Sequence, residues 1–105
     1  MKKKIFLHPK VEKELNKIPY NTREELQRLF KMLSDQGKLE LPYGKKITKD
    51  LFEIRIRHKD HWRAIYAYIK GDIIIIVSLF KKKTNKTPLK ELKKVYKRLL
   101  QYEKE

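Results

Sequence analysis

The stretch from residue 51 to residue 83 constrains the fold more than any other part of the chain. It contains three runs in succession, LFEIRIR, HWRAIYAYIK and DIIIIVSLF, separated by short polar segments. The runs show the two-residue period of β-strands that bury one face. The stretch therefore predicts an antiparallel meander of three strands.

The register of the first two strands follows from the need to bury one common face. If residues 58–60 form a three-residue loop, Arg55 lies directly opposite Arg63 and the apolar faces of the two strands coincide. A two-residue loop would place Ile56 beside Arg63 and split the two arginines between the faces. We therefore predict the three-residue loop.

The second turn is predicted at Gly71 and Asp72, because glycine suits the first central position of a type II′ hairpin. Counting back from this turn places Ile75, Val77 and Leu79 on the apolar face. The opposite face then gathers several cations and an aromatic ring: Arg55, Arg57, His61, Arg63, Phe80 and Lys82.

Two interpretations of this second face compete. Glu53 can form cross-strand ion pairs with Arg55 or Arg63, which are common and contribute little at a surface. Alternatively, the cations converge on an anion such as a phosphate. A single acid cannot neutralise the whole group, so we favour the anion site.

The composition limits the class of protein. With 105 residues and no cysteine, the chain predicts one domain spanning residues 1–105, without disulfides or thiolate metal sites. Three scattered histidines do not indicate zinc, and we expect no metal and no cofactor. The apolar part of the start, MKKKIFL, is too short for a signal peptide, and no run reaches transmembrane length, so we expect a cytoplasmic protein. The net charge of +15 indicates an acidic partner, most often nucleic acid and sometimes an acidic protein or a membrane surface; we expect no membrane partner.

The segments before the meander predict a strand and a helix hairpin. Residues 3–7 have the length of a short strand, and Pro9 opens a helix that ends at Pro19. Thr22-x-x-Glu25 fits a capping box at the start of a second helix, and Gly37 fits its C-terminal end. We expect this hairpin to cover the apolar face of the meander.

The remaining segments are basic. Residues 39–50 are predicted to be a loop carrying Lys45, Lys46 and Lys49. Thr87 and Pro88 are predicted to open a last helix, with proline at its first position and lysines around an apolar stripe. These lysines either contact phosphates or only face solvent, and solvation is the commoner role for any single lysine.

The order and spacing of these motifs resemble the RelE/ParE toxin superfamily, and more narrowly its HigB-like, phage-derived branch. The resemblance covers the whole chain and is carried by Leu51-x-Glu53-x-Arg55, Arg63-x-x-Tyr66, Phe80-x-Lys82-Lys83-Thr84 with Thr87-Pro88, and Arg98. It implies an α+β fold in β-α-α-β-β-β-α order: a small twisted antiparallel sheet, an N-terminal helix hairpin on one face and a basic C-terminal helix.

The resemblance also implies a function. Most members are toxins of type II toxin–antitoxin pairs; the RelE and HigB branches cut mRNA in the ribosomal decoding site, whereas the ParE branch inhibits DNA gyrase. The implied partners are a cognate antitoxin, expected to be a helix-turn-helix protein, together with the ribosome and mRNA. The chain departs from its branch at Ser78, where a histidine is common, at Tyr96, where a small residue is common, and after Lys83, where no tyrosine follows.

Cleavage by attack of a 2′-hydroxyl on its own phosphate needs a base, cations for the phosphorane and an acid for the leaving oxygen. We assign Arg63 to binding the scissile phosphate, with Arg55 beside it. Lys82 is assigned a role as base or acid, and Tyr102 or His61 is assigned as the further proton donor. Phe80 is expected to stack a base. The full expected RNA-binding set is Lys45, Lys46, Lys49, Arg57, His61, Phe80, Lys81 and Lys83. The alternative is a ParE-like gyrase inhibitor without nuclease activity, or a nucleic-acid-binding module that has lost toxicity.

Overall fold

A five-stranded sheet separates two helices on one face from one helix on the other in the computed structural model, which describes residues 2–56, 61–83 and 87–103. The elements are β1 (Lys4–Leu7), α1 (Pro9–Leu15), α2 (Tyr20–Gln36), β2 (Gly44–Lys46), β3 (Phe52–Arg55), β4 (Trp62–Ile69), β5 (Ile73–Lys81) and α3 (Leu89–Glu103). None of the helices in these ranges combines the length and apolar character that spanning a membrane requires.

The sheet has the strand order β1-β5-β4-β3-β2. The predicted α+β class and the meander of β3, β4 and β5 are confirmed. Two features differ from the prediction. The sheet is mixed, because β1 runs parallel to β5. The segment predicted to be a loop contains the short edge strand β2, which pairs with β3 through backbone hydrogen bonds that its lysine-rich sequence does not indicate.

The ends of α1 and α2 show which of the capping signals in the sequence are used in the structure. His8 precedes α1, and its Nδ1 accepts a hydrogen bond of 3.1 Å from the backbone N–H of Lys10. The predicted capping box is wrong: α2 begins at Tyr20, directly after Pro19, so Thr22 is buried within the helix. Gly37 ends α2 as predicted, with φ of 80° and its N–H donating to the carbonyl of Leu33.

The register of β3 against β4 is the predicted one, with Arg55 opposite Arg63. The predicted register of β4 against β5 is wrong near the turn and correct at the other end of the two strands. The turn contains residues 70–72, with Lys70 at φ of 57°, so Ile69 pairs with Ile73. A β-bulge at Val77 restores the predicted pairing of Arg63 with Phe80.

Because of the bulge, the predicted assignment of β5 residues to the two faces of the sheet is partly wrong. Ile75 and Val77 pack beneath α3, not beneath the hairpin as predicted, whereas Leu79 lies on the hairpin side as predicted. The core beneath α1 and α2 includes Leu26, Leu29, Ile54, Tyr66 and Ile76, and the core beneath α3 includes Leu51, Ile65, Val77, Phe80, Val95 and Leu99. Both faces of the central strands are therefore buried.

The last helix begins at Leu89, one residue later than Pro88 suggests. The N–H groups of Glu91 and Leu92 donate to the carbonyl of Pro88. Arg57, the predicted three-residue loop at 58–60 and the predicted turn at 84–86 lie outside the described residues.

Candidate functional site

Two rows of residues cross the sheet on the face that α3 covers. The first row runs Lys45, Glu53, Ile65 and Ser78 across β2, β3, β4 and β5. The second row, two residues along each strand, runs Arg55, Arg63 and Phe80. Side chains two residues apart on a strand point to the same face of the sheet. The two rows are therefore adjacent on the face that α3 covers.

A cleft of about 290 Å³ opens beside these rows. We call it the cationic cleft, because three of its lining residues are Lys45, Lys46 and Lys82. The rest of the lining is Ile47, Thr48, Glu53, Thr87 and Leu92. The first turn of α3 therefore forms one wall, and the edge strand β2 forms the other.

Glu53 lines the cleft and contacts residues from three other segments of the chain. Its side chain is only 2% exposed, and its carboxylate lies 3.5 Å from Nε of Arg63 and 3.5 Å from Nζ of Lys82. These are ion-pair contacts, longer than hydrogen bonds. The hydroxyl of Thr87 donates to the same carboxylate at 3.3 Å. We call these four residues the Glu53 cluster.

Arg63 is oriented from two sides. Its Nη1 donates a 2.9 Å hydrogen bond to the carbonyl of Trp62, while its Nε faces Glu53. Burial lowers the pKa of Arg63, the carboxylate of Glu53 raises it, and the neighbouring charge of Arg55 lowers it further. Arginine nevertheless remains charged at any physiological pH, so the guanidinium is a fixed cation beside the cleft.

A second acid, Glu91, lies in the first turn of α3, outside the lining of the cleft. The hydroxyl of Ser78 donates a 2.8 Å hydrogen bond to Glu91, which also lies 3.0 Å from Nζ of Lys94. Ser78 therefore links the sheet to α3. This is the position at which the resemblance led us to expect a histidine.

Several predicted site residues are thus brought together. Lys45, Lys46 and Lys82 line the cleft, Arg63 joins them through Glu53, and Arg55 lies partly exposed opposite Arg63. Phe80 lies on the same face as Arg63 but is only 8% exposed and packs beneath α3. It offers little surface for stacking a base in this conformation.

Tyr102 is not brought to these residues. It lines a separate pocket of about 510 Å³ with Asp50, Leu99 and the end of β4. Leu92 lines the cationic cleft. Tyr102 follows Leu92 by ten residues of the same helix, which at 1.5 Å per residue places it roughly 15 Å farther along the helix axis. Tyr102 therefore belongs to the opposite end of α3 from the Glu53 cluster.

The other predicted RNA-binding residues lie around the cluster or away from it. Lys49 is exposed beyond β2, outside the cleft lining. Lys81 pairs with Trp62 and so points to the other side of the sheet from Lys82, while Lys83 is exposed. His61 is exposed with φ of 52°, and its carbonyl accepts the N–H of Lys82.

Tyr66, part of the motif Arg63-x-x-Tyr66, is a core residue. It stacks on Phe52 at 5.4 Å between ring centroids on the hairpin side of the sheet and is almost completely buried. Burial, followed by the proximity of Tyr68, raises its pKa. Tyr66 therefore shapes the sheet and is not part of the cationic cleft.

The sequence analysis considered Glu53 as an ion-pair partner of Arg55 or Arg63, and the structure shows the ion pair with Arg63. It missed the contacts of Glu53 with Lys82 and Thr87. The available signal was that Glu53 is the only acid within the strand run LFEIRIR, between apolar neighbours. Within the described ranges, no three carboxylate or imidazole side chains converge as the ligands of a metal would.

Comparisons with known proteins agree with this architecture. Residues 13–100 match the family model described as phage-derived protein Gp49-like (DUF891). No curated protein sequence is significantly similar to the chain. Among solved structures, the chain is similar to an arginine-to-alanine double mutant of E. coli toxin RelE in the free state, at 19% identity with a TM-score of 0.66, covering 96% of this chain and 97% of that one.

A second similar structure is the archaeal RelE–RelB complex from Pyrococcus horikoshii OT3, at 24% identity and a TM-score of 0.60, covering 77% of this chain and 96% of that one. At these identities the structural likeness concerns the fold. The family match spans most of the chain. The chain belongs to the phage-derived Gp49-like family and has the RelE fold, which confirms the phage-derived family and the fold that the resemblance implied.

Proposed function

We propose that the protein is the toxin of a type II toxin–antitoxin pair and acts in the cytoplasm as a ribosome-dependent mRNA endoribonuclease. The observation that carries this proposal is the cationic cleft, which Lys82 lines and beside which Arg63 is buried, both in contact with Glu53. Membership in the Gp49-like family and the RelE fold support it.

The charge of the cleft suits a phosphodiester. Lys45, Lys46 and Lys82 line it, Arg63 adds a fourth cation through the Glu53 cluster, and Glu53 is the acid in its lining. Local positive charge therefore exceeds negative charge, as binding of a polyanion requires. The exposed lysines around the cleft would add salt-dependent contacts with ribosomal RNA.

In the proposed reaction the RNA supplies its own nucleophile. A base removes the proton of the 2′-hydroxyl, whose oxygen forms a bond to the adjacent phosphorus, and the bond from phosphorus to the 5′-oxygen breaks. Arg63 and Arg55 stabilise the charge on the phosphorane, because guanidinium groups remain charged and match phosphate oxygens in geometry. Lys82 is the proposed base, and its ammonium group must first release a proton to solvent before it can accept the proton of the 2′-hydroxyl. Exposed His61, in its protonated form, is the proposed donor to the leaving oxygen.

The proposed protein partner is an antitoxin. The archaeal RelE structure is a complex with RelB, and the net charge of +15 favours an acidic segment on such a partner. We propose that this segment covers the face carrying Arg55 and Arg63. Crosslinks from a copurified antitoxin that reached only α1 and α2 would contradict direct occlusion of that face.

Primer extension on a defined mRNA, with purified protein and with or without ribosomes, tests the enzymatic proposal. We expect new 5′ ends only with ribosomes, and we expect Arg63→Ala to reduce their rate of formation by about a hundredfold or more. Arg28→Ala is the matched control, because it removes an exposed arginine of α2, on the other side of the sheet from the cleft. Wild-type rates for Arg63→Ala would contradict the assignment.

One observation favours the second candidate, a gyrase inhibitor. None of the residues lining the cationic cleft is a tyrosine or histidine, and Tyr102 lies at the far end of α3. If no new mRNA ends form with ribosomes present, inhibition of gyrase-catalysed supercoiling by the purified protein would establish the gyrase reading instead.

A further inference from the structure

Glu53 stands out because an acid is buried in the region proposed to bind an anion. Its side chain is 2% exposed, and it contacts Arg63 from β4, Lys82 at the end of β5 and Thr87 before α3. A carboxylate this deeply buried is stable only when cations and hydrogen bonds compensate for its lost hydration. One side chain thus connects four separate segments of the chain.

The contacts restrict the two cations differently. Arg63 is fixed in orientation, since Nη1 is bound to the carbonyl of Trp62 while Nε faces Glu53. Lys82 has a flexible stem, and its Nζ lies 3.5 Å from Glu53, its one ion pair among the described residues. Without the carboxylate, the two cations would repel each other and Lys82 would lose its anchor.

The simplest alternative is that Glu53 only balances charge. In that case it weakens the attraction of the cleft for a polyanion, and its removal strengthens binding. The two roles therefore predict opposite signs for the same substitution.

We propose that Glu53 is the positioning residue of the cationic cleft, holding Arg63 and Lys82 in place to receive the phosphodiester of an RNA strand. The proposal rests on the proposed function in requiring RNA as the ligand, but it does not require cleavage. Glu53 acts through Arg63 and Lys82 and does not itself contact the RNA.

The test measures binding of a short, fluorescein-labelled single-stranded oligouridylate by fluorescence anisotropy at one fixed salt concentration. Glu53→Gln keeps the shape and raises the net charge of the protein by one. We expect it to weaken binding by about tenfold, because displaced cations contribute less even though the cleft is more positive. Glu40→Gln, an exposed acid outside the cleft, raises the net charge equally and is expected to leave binding unchanged or slightly stronger.

Glu53→Asp separates position from charge. It keeps the carboxylate but withdraws it from Arg63 and Lys82 by about the length of one methylene group, so we expect weaker binding here too. If Glu53 only balances charge, Glu53→Asp binds like the wild type and Glu53→Gln binds more tightly. Either of those two results would overturn the proposal. Glu53→Asp also serves if Glu53→Gln fails to fold, as circular dichroism would show.

A spectroscopic readout tests the position of Arg63 without RNA. In the heteronuclear NMR spectrum the Nε–Hε resonance of Arg63, assigned by its loss in Arg63→Lys, is expected to shift and broaden in Glu53→Asp but not in Glu40→Gln. An unchanged resonance would contradict the proposal. Because this readout needs no RNA, it decides the role of Glu53 even if the wild type neither binds nor cleaves RNA, in which case the proposed function alone fails.

Discussion

Nη1 of Arg98 donates a 2.6 Å hydrogen bond to the backbone carbonyl of Val77. Val77 is the extra residue of the bulge in β5, where the pairing with β4 is interrupted. A bulge leaves its extra residue unpaired, so a buried side chain of α3 provides the partner for this carbonyl. Nη2 of Arg98 also lies 3.6 Å from Glu14 at the end of α1. The bulge, α3 and α1 are therefore joined by one guanidinium.

Arg98→Met tests this junction. It keeps most of the apolar stem and removes the donors, leaving the Val77 carbonyl buried, so we expect the free energy of unfolding to fall by about 2–3 kcal/mol. The measurement is urea unfolding followed by circular dichroism. Lys97→Met is the matched control on the exposed face of the same helix, with an expected change within about 0.5 kcal/mol. Equal midpoints for the two variants would contradict the structural role of Arg98.

The bulge also marks where prediction from the sequence stops. Arg55 could be paired with Arg63 because LFEIRIR alternates strictly, and only one register buries the apolar residues of both strands. The run from Ile73 to Val77 has no alternation, because both faces of β5 are covered. An all-apolar run does not indicate which face a given residue occupies, so an extra residue within it is invisible to the pattern.

The candidate site, like the sheet register, was predictable from the sequence only in part. Strand period alone gathers Arg55, Arg63 and Lys82 on one face. It does not reveal that α3 covers part of that face, which buries Phe80, nor the direction of α3 across the sheet, which carries Tyr102 away. The contact of Glu53 with Arg63 joins neighbouring strands and could be anticipated. Its contact with Lys82 depends on side-chain reach from β3 to the end of β5, two strands away, and periodicity contains no information on that.

The burial of Phe80 leads to a prediction that separates packing from base stacking. Phe80→Ala is expected to lower the free energy of unfolding by about 3–4 kcal/mol, as removal of a buried aromatic ring does. Phe6→Ala is the control, because Phe6 is 51% exposed, and we expect a change within about 0.5 kcal/mol. Chemical denaturation of both variants gives the comparison. If Phe80→Ala weakens RNA binding without loss of stability, Phe80 acts as a stacking residue instead.

Gly44 on β2 offers a second test of the cleft. A Cβ built at Gly44 would lie 2.6 Å from both Cβ and the carbonyl oxygen of Leu39, so the backbone must move to accept it. We expect Gly44→Ala to cost about 1–3 kcal/mol in urea unfolding and to weaken RNA binding by displacing Lys45 and Lys46. Gly71→Ala is the matched control, since nothing lies within 4 Å of its added Cβ. Similar stability and binding for the two variants would contradict the close packing of Gly44.

His8 gives a prediction on pH. It is 4% exposed, and its Nδ1 accepts the N–H of Lys10 only while that nitrogen is unprotonated. Burial and the neighbouring charge of Arg98 lower the pKa of His8, and Lys10 lowers it further, whereas the nearby side chain of Gln101 and the charge of Glu14 act in the opposite direction. The folded protein therefore favours the neutral imidazole.

The sign of the effect follows from proton binding. Below a pH of about 6.5 the unfolded chain binds a proton at His8 that the folded protein resists, so the free energy of unfolding decreases as the pH falls. One such group contributes a slope of at most about 1.4 kcal/mol per pH unit. Urea unfolding between pH 7.5 and pH 5.5 measures the slope for the wild type and for His8→Asn, which keeps a capping oxygen but does not titrate. We expect a shallower slope for His8→Asn, and identical slopes would show that His8 titrates alike in both states.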